Sequence, residues 1–455
     1  MKSINEFNNK KVLVLGLAMS GYSASKLLLI LGAEVIVNDF QDLSKDDKAI
    51  ELSELGIKIV CGGHPLTLLE DSVDFIIKNP GIPYTNPIVQ KAQEKNIPIL
   101  TEIELAYLII ESPVIAITGT NGKTTTTKMV EAVLKHGRQK GYVYASGNIG
   151  IPASTTAQTV TSEDDTIMEV SSFQLMGIEK FKPKIAVITN IYSAHLDYHK
   201  TRGEYVSAKL AITKNQTRDD YLIYNADQSE LTELVLNESR AQLIPFSRKK
   251  ELTEGVWIKD QTILFNSESI MNTNDIILPG KHNLENVLAT IAVGKLKGVS
   301  NESIQSVFRR FKGVPHRMQY VDEINNRLFY NDSKATNTLA TIHALEGFNK
   351  PVILIAGGMD RGDTYEDLIP ALRTHVKALI TFGETAQKLA AMGKGMNIQK
   401  VEQMSTVAES VHMAYKLSDA GDVILLSPAS ASWDQYKTFE ERGNDFINEV
   451  SKLPE

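Results

Sequence analysis

Nine apolar, β-branched runs constrain this chain more than any single motif does. "KVLVLG" (11–16), "EVIVND" (34–39), "VDFIIKNPG" (73–81), "PVIAITG" (113–119), "KIAVITN" (184–190), "YLIYNAD" (221–227), "PVILIAGG" (351–358), "VKALITFG" (376–383) and "DVILLSPA" (422–429) each carry a Gly, Asn, Asp or Pro at or next to their end. Most are followed by a segment with helical spacing. Strands apolar on both faces and alternating with helices build parallel sheets covered on both sides, so the fold class is α/β. Strand-turn-helix clusters recur three times, opening at "VLGLAMSG", at "ITGTNGKT" and after "GVPHRMQ". Three domains follow: 1–99 and 312–455, both Rossmann-like, and a central P-loop domain at 100–311. Residues 245–280 break the rhythm with short β pieces, Trp257 and an "LPG" turn, as expected of an antiparallel extension of the middle sheet.

Composition narrows the function. The 455 residues are about three times the usual length of one domain. A net charge of −7 leaves no basic excess to attract nucleic acid. The single cysteine, Cys61, excludes an internal disulfide framework and a cysteine zinc site. The polar start "MKSINEFNNKK" lacks a signal-peptide core, and no apolar run reaches the ~18 residues of a membrane span. A cytoplasmic protein without membrane or nucleic-acid partners is expected.

The chemistry begins at "AITGTNGKTTTTK" (116–128). Gly122, Lys123 and Thr124 match the end of a Walker A loop, but Ile117 stands where its first glycine belongs, and the nearer Gly119 follows two residues later. A strand feeding this turn, with a helix starting near Thr124, still offers backbone N–H groups, a lysine charge and a threonine hydroxyl to a phosphate and its Mg2+. A threonine-rich helix cap beside a surface lysine is the plain alternative. Carboxylates at later strand ends would serve the metal. "TIMEVSSFQL" supplies Glu169, followed by Ser171 and Ser172, and "TNIYSAHLDYH" supplies His195, Asp197 and His199. Two histidines and an aspartate are also a zinc donor set. Mg2+ with His195 as one ligand agrees better with the phosphate loop.

Lys209, in the helical stretch "GEYVSAKLAITK", has a solvated helix face as its default reading. Placed instead near two metals and ATP, a neutral lysine could take up CO2 as a carbamate, once burial and nearby cations had lowered its pKa from ~10.4. Asn283 and Asn286 share one helix face, to read an adenine edge or to decorate the helix. His316 and Arg317 follow a Gly-Val-Pro turn, from which an arginine can reach a γ-phosphate. "YNDSKATNT" (330–338) and "SPASASWDQYKTFEERG" (427–443) lie just past strands, where ligands of open α/β sheets bind. Lys334, Thr336 and Ser432, with Arg361 from "AGGMDRGDTYEDL", would suit a small dicarboxylate. In the first domain "GLAMSG" (16–21) misses the dinucleotide fingerprint at Ala18, while Asp39 ends the second strand, where an acid binds a ribose. A diphosphate-containing nucleotide, not necessarily NAD, fits this pattern.

"GTNGKT", "EVSSFQL", "NIYSAHLDYH", the Lys209 helix, "KHNLENVLA", "PHR" and "NDSKATN" stand in the order seen in the Mur ligases of peptidoglycan synthesis. The resemblance runs from the first strand to "FEERG", and the two C-terminal motifs resemble the D-glutamate-adding branch. It implies ATP-dependent addition of D-glutamate to UDP-N-acetylmuramoyl-L-alanine through an acyl phosphate. By that resemblance Gly119, Thr120, Asn121, Gly122, Lys123, Thr124 and Thr125, with Asn283, Asn286, Arg317 and Asp332, would hold ATP. Thr124, Glu169, His195 and a carbamylated Lys209 would hold two Mg2+ ions; Lys123, His195 and Lys209 would act in catalysis. Leu17, Ala18, Met19, Ser20, Asp39, Gly81, Asn148 (in "GNIG") and Ser171 would bind the UDP substrate. Lys334, Thr336, Arg361, Ser432 and Phe439 would position D-glutamate. A monomer is expected. Other Mur ligases and folylpolyglutamate synthases share the ATP motifs, whereas a nicotinamide-dependent oxidoreductase would leave "GTNGKT" and Glu169 unexplained.

Overall fold

Residues that pair along the apolar runs assemble three sheets in the computed structural model, which describes residues 1–70, 72–192, 196–278, 280–396 and 398–454, without the side chains at 196 and 197. The first sheet has five parallel strands in the order Lys58–Cys61, Glu34–Asp39, Lys11–Leu15, Phe75–Lys78 and Ile99–Leu100. Strand order reverses beside Lys11–Leu15. The loops leaving Lys11–Leu15 and Phe75–Lys78 therefore part at a crevice, where such sheets bind ligands.

The second sheet has nine strands. Its parallel part runs Gln242–Ser247, Tyr221–Asn225, Ile185–Ile188, Val114–Thr118, Asp165–Glu169 and Val143–Gly147. Val256–Lys259 joins parallel to Gln242–Ser247, and Thr262–Phe265 and Glu268–Asn272 complete an antiparallel meander. That meander is the extension expected from residues 245–280. The third sheet is ordered Gln319–Ile324, Arg327–Asn331, Val423–Leu426, Val352–Gly357, Val376–Phe382 and Lys400–Gln403, with only the first strand antiparallel.

All nine apolar runs are strands. The sequence pattern missed short, half-exposed ones such as Lys58–Cys61 and Lys400–Gln403, which bury too little to carry an apolar signature.

The chain forms two compact units, Met1–Thr273 with Glu285–Val307, and Asn274–Leu284 with Phe308–Glu455. Within the first unit, one core is shared by the first two sheets: Leu27, Leu28, Ile103, Ile109, Ala153 and Ala157 belong to the same buried cluster. Polar pins reinforce it. The Ser23 hydroxyl lies 2.7 Å from that of Ser154, and Ser154 N–H donates to the buried Glu102 carboxylate at 2.5 Å. A shared core of this kind fixes the first crevice relative to the central sheet. Among the described residues, no helix is long and apolar enough to cross a membrane.

Candidate active site

The candidate phosphate loop is built by close approach. Val114–Thr118 is wholly buried, and Ile117 sits inside the strand with no exposed surface, so a glycine there would serve no turn. The turn is delayed to Gly119 and Gly122. A Cβ on Gly119 would lie 1.9 Å from Thr189 Oγ1, and one on Gly122, whose φ is +83°, 2.3 Å from Asn286 Oδ1. Only glycine tolerates both the crowding and the left-handed backbone. Asn190 holds the loop by accepting Thr120 N–H on its carbonyl and Asn121 N–H on Oδ1, each at 2.9 Å. Thr189 Oγ1 donates to the Asn121 carbonyl at 2.6 Å. The helix Lys123–Gly137 then starts at once, with Thr124 and Thr125 buried in its first turn. Lys123 Nζ donates to the carbonyls of Gly119 (2.9 Å) and Thr120 (3.0 Å).

Lys209 reaches the same loop from the helix Arg202–Leu210. It is 2% exposed, against its default reading as a solvated residue, and its Nζ donates to the Gly119 carbonyl at 2.7 Å. The Tyr205 ring lies 4.7 Å from the ammonium, and the Tyr205 hydroxyl meets Thr120 Oγ1 at 2.9 Å. Burial, and then the Lys123 charge, hold the Lys209 pKa well below the ordinary lysine value. Two cations thus converge on one carbonyl, an arrangement that favours the neutral amine.

Glu169 ends its strand 1% exposed. Oε1 accepts from Asn148 Nδ2 at 3.0 Å, and Oε2 is buried with no hydrogen-bond partner among the described residues. An orphaned carboxylate oxygen beside a phosphate loop is what a hard cation would satisfy, so these residues fit Mg2+. Ser171 caps the short helix Ser172–Leu175 in a reciprocal arrangement with Gln174. His195, and the side chain of Asp197, lie outside the described residues. His199 is buried, its Nε2 2.9 Å from Ser172 Oγ and its ring stacked on Phe173 at 5.2 Å. It is packed among aromatic rings, and its other ring nitrogen, Nδ1, is buried with no hydrogen-bond partner among the described residues. No group of three or more metal-binding His, Cys, Asp or Glu occurs among the described residues.

In the first sheet, a cavity of about 420 Å³ opens at the strand-order reversal, lined by Leu17, Ala18, Asp39, Phe40, His64 and Asn79. Asp39 accepts Leu17 N–H (2.8 Å) and Gln41 N–H (2.9 Å), so its carboxylate shapes both walls. Asn79 does the same on the far side, accepting Gly81 N–H at 3.0 Å and donating to Ser20 Oγ at 3.2 Å. Met19, at the start of the helix Met19–Ile30, and Phe40 (69% exposed) are bare apolar surface near the mouth. A larger cavity, about 570 Å³, lies between the helix Lys123–Gly137 and the edge strand Val143–Gly147, lined by Lys128, Arg138, Tyr142 and Tyr144. Lys128, at the end of the 116–128 motif, lines it, but none of the candidate ligand residues does.

Asn283 and Asn286 are both buried on the helix Lys281–Leu296, and Asn286 Oδ1 accepts from Thr126 Oγ1 at 3.2 Å. In the second unit Asp332 is buried, accepting Ser427 Oγ–H at 2.9 Å and Met318 N–H at 3.1 Å. Burial outweighs these bonds and the Arg317 charge, raising its pKa to about 7. Lys334 Nζ stands 5.5 Å from the Phe439 ring centroid, and Thr336 N–H donates to the Lys334 carbonyl at 2.9 Å. Ser432 is buried. Arg361 lies over exposed Trp433 at 4.6 Å.

What gathers these loops is Arg442, which has no exposed surface. It donates to Ser333 Oγ and to the carbonyls of Ser333, Gly357, Ser430 and Ala431 at 2.8–3.3 Å. Two of its partners, Ser333 and Ala431, stand immediately before the candidate ligands Lys334 and Ser432 in the chain. Sequence reasoning gave no role to Arg442, nor to Thr189 and Asn190. For Arg442 a signal existed: it shares a helical face with Phe446 and Val450, both buried.

Three family profiles cover most of the chain: the MurD-like N-terminal domain of Mur ligases at 10–101, the Mur ligase middle domain at 117–294, and the Mur ligase glutamate ligase domain at 316–430. The chain is 52% identical over 453 residues, and 100% of each chain, to the UDP-N-acetylmuramoylalanine–D-glutamate ligases of Bacillus cytotoxicus and Bacillus thuringiensis (strain Al Hakam). Among solved structures it resembles the UDP-N-acetylmuramate-alanine ligase MurC of Thermotoga maritima, with a TM-score of 0.57, 20% identity and coverage of 97% of this chain and 99% of that one. The MurF ligase of Thermotoga maritima, solved with ADP, gives a TM-score of 0.56 at 17% identity, covering 98% and 96%. Those structures share the three-sheet α/β architecture; the full-length relatives, together with the profiles, establish that this chain belongs to the Mur ligase family.

Proposed function

We propose that the chain is an ATP-dependent ligase that joins D-glutamate to UDP-N-acetylmuramoyl-L-alanine in peptidoglycan precursor synthesis. Full-length identity of 52% to relatives named for that reaction is the observation that carries this reading. ATP phosphorylates the substrate's terminal carboxylate, the amine of D-glutamate attacks the acyl phosphate, and phosphate leaves as the amide forms.

Within this reading the chain's residues divide the work. Backbone N–H groups of Gly119–Thr125 and the Lys123 ammonium hold the β- and γ-phosphates, Lys123 exchanging its two carbonyl partners for phosphate oxygens. Thr124, Glu169, His195 and Lys209 hold two Mg2+ ions. Bound there, Mg2+ offsets the repulsion between a phosphoryl group and a carboxylate. The depressed pKa of Lys209 supports its reaction with CO2, in which Nζ forms the N–C bond and releases a proton. Asn283, Asn286, Arg317 and Asp332 bind ATP. Leu17, Ala18, Met19, Ser20, Asp39, Gly81, Asn148 and Ser171 bind the UDP substrate. Lys334, Thr336, Ser432 and Phe439 position D-glutamate, with Arg361 at the periphery beside Trp433.

The working division is 1–99 for the UDP substrate, 100–311 for ATP and 312–455 for the amino acid, in a cytoplasmic monomer with no nucleic-acid partner. A coupled phosphate-release assay tests the reaction. Phosphate should appear only with ATP, UDP-N-acetylmuramoyl-L-alanine and D-glutamate together. Equal release with L-glutamate, L-alanine or diaminopimelate, or with ATP alone, would refute the proposal.

A further inference from the structure

One buried cation belongs to none of the roles above. Lys78 ends the strand Phe75–Lys78 with no exposed surface, and among the described residues no carboxylate pairs with it. Its Nζ donates instead to the carbonyls of Asn79 (3.1 Å), Pro80 (3.4 Å) and Ile82 (2.7 Å), and to the Tyr198 hydroxyl (3.2 Å). The Tyr84 and Tyr198 rings lie 4.9 and 5.9 Å from it. Burial lowers its pKa to about 8, so it remains mostly protonated at neutral pH.

The 79–82 turn points three carbonyl oxygens at one spot, where only a donor can stand without leaving acceptors unsatisfied. Tyr198 OH bonds to two of the same oxygens, Pro80 O (3.1 Å) and Ile82 O (2.9 Å). Tyr84 OH donates to the Met176 carbonyl at 3.2 Å, and the Tyr198 ring packs edge-on against Phe173 at 4.4 Å. The turn is thereby fastened to the segments that follow Glu169 and His195 in sequence. Its outer face supplies Asn79 and Ile82 to the 420 Å³ cavity and presents Gly81.

We propose that Lys78 is a positioning residue for the nucleotide-sugar substrate, its ammonium gathering the carbonyls of the 79–82 turn against Tyr198 and so setting the wall of the first cavity. This rests on the reading of that cavity as the UDP-substrate site. Lys78 touches no reacting atom. Its loss should act on the binding of one substrate and spare the others.

The test is steady-state kinetics on Lys78→Met, Lys78→Gln and Tyr198→Phe enzymes, with wild type in parallel and thermal melts as controls. Lys78→Met should raise KM for UDP-N-acetylmuramoyl-L-alanine about tenfold, as expected for removing hydrogen bonds from a charged donor. KM for ATP and for D-glutamate, and kcat, should stay within about twofold, since a local change in one wall is confined to the ligand it touches. Lys78→Gln restores neutral donors and should recover part of the loss. An unchanged KM for the UDP substrate, or a uniform fall in every constant, would overturn the proposal. Should Lys78→Met fail to fold, Tyr198→Phe keeps the same logic: it removes one hydroxyl and should raise the same KM about threefold. No rise there also overturns it. A wild-type enzyme that releases no phosphate with the UDP substrate would instead remove the functional reading, and the Lys78 role with it.

Discussion

Lys209 and Arg442 are both cations sealed from solvent, and they sit in opposite electrostatic situations. Arg442 spends its donors on a hydroxyl and four carbonyls; burial lowers its pKa only to about 10, so it stays charged. Among the described residues, Lys209 has one oxygen acceptor, the Gly119 carbonyl, which Lys123 also uses, and a cation as its neighbour. A buried charge that is fully hydrogen-bonded organises structure, whereas one held under-satisfied beside a like charge is disposed to lose its proton and react. The same chain uses burial to build loops in one place and to lower a lysine pKa in another.

Replacing each with methionine is the most direct way to break this contrast. Lys209→Met should cut ligase turnover by about 10²–10³-fold, the usual consequence of removing one transition-state electrostatic group, while raising the thermal midpoint because folding no longer has to deprotonate and desolvate an amine that is charged in the unfolded chain. Arg442→Met should move stability the other way, by about 3 kcal/mol, as several carbonyls lose their donor. It should also weaken D-glutamate binding, measured as KM. If both variants shift the melting temperature in the same direction, the contrast fails.

Smaller effects sharpen it. Gly122→Ala forces a Cβ into a backbone with φ +83° and onto Asn286 Oδ1. KM for ATP should rise about tenfold, from ~1–2 kcal/mol of left-handed strain plus the displaced amide. Asp332 gives the mildest signal. Its folded pKa of about 7 lies above the ordinary 3.8, so the folded state keeps a proton that the unfolded chain has already lost. Stability from this group should therefore decline as pH rises from near 4 through 7. Asp332→Asn should flatten the melting temperature between about pH 5 and 8 and gain on wild type at the upper end. Calorimetry across that range checks it, and a variant with an unaltered slope would show that Asp332 does not titrate there.

Much of this arrangement was legible in the linear chain. Parallel strands announce themselves because both faces must be apolar, so the nine runs, and the loops at their carboxyl ends, could be placed before any coordinates. Gly122–Lys123–Thr124 could be singled out as a candidate by type and spacing, since such a loop is local and its residues are consecutive, and Glu169 by its place at a strand end. Edge strands left no such mark.

Tertiary structure decided the states of individual side chains. Nothing in "GEYVSAKLAITK" separates a solvated lysine from one buried under Tyr205 against Gly119, because burial and a second cation come from segments about 90 residues away. His199 is another case: the letters could not show that its ring is buried, stacked on Phe173 and bonded to Ser172. Arg442 and Lys78 gained their meaning only when turns remote in sequence aimed their carbonyls at them. Local spacing encodes periodicity and backbone geometry, while desolvation and the convergence of charges are sums over neighbours that only the folded chain brings together.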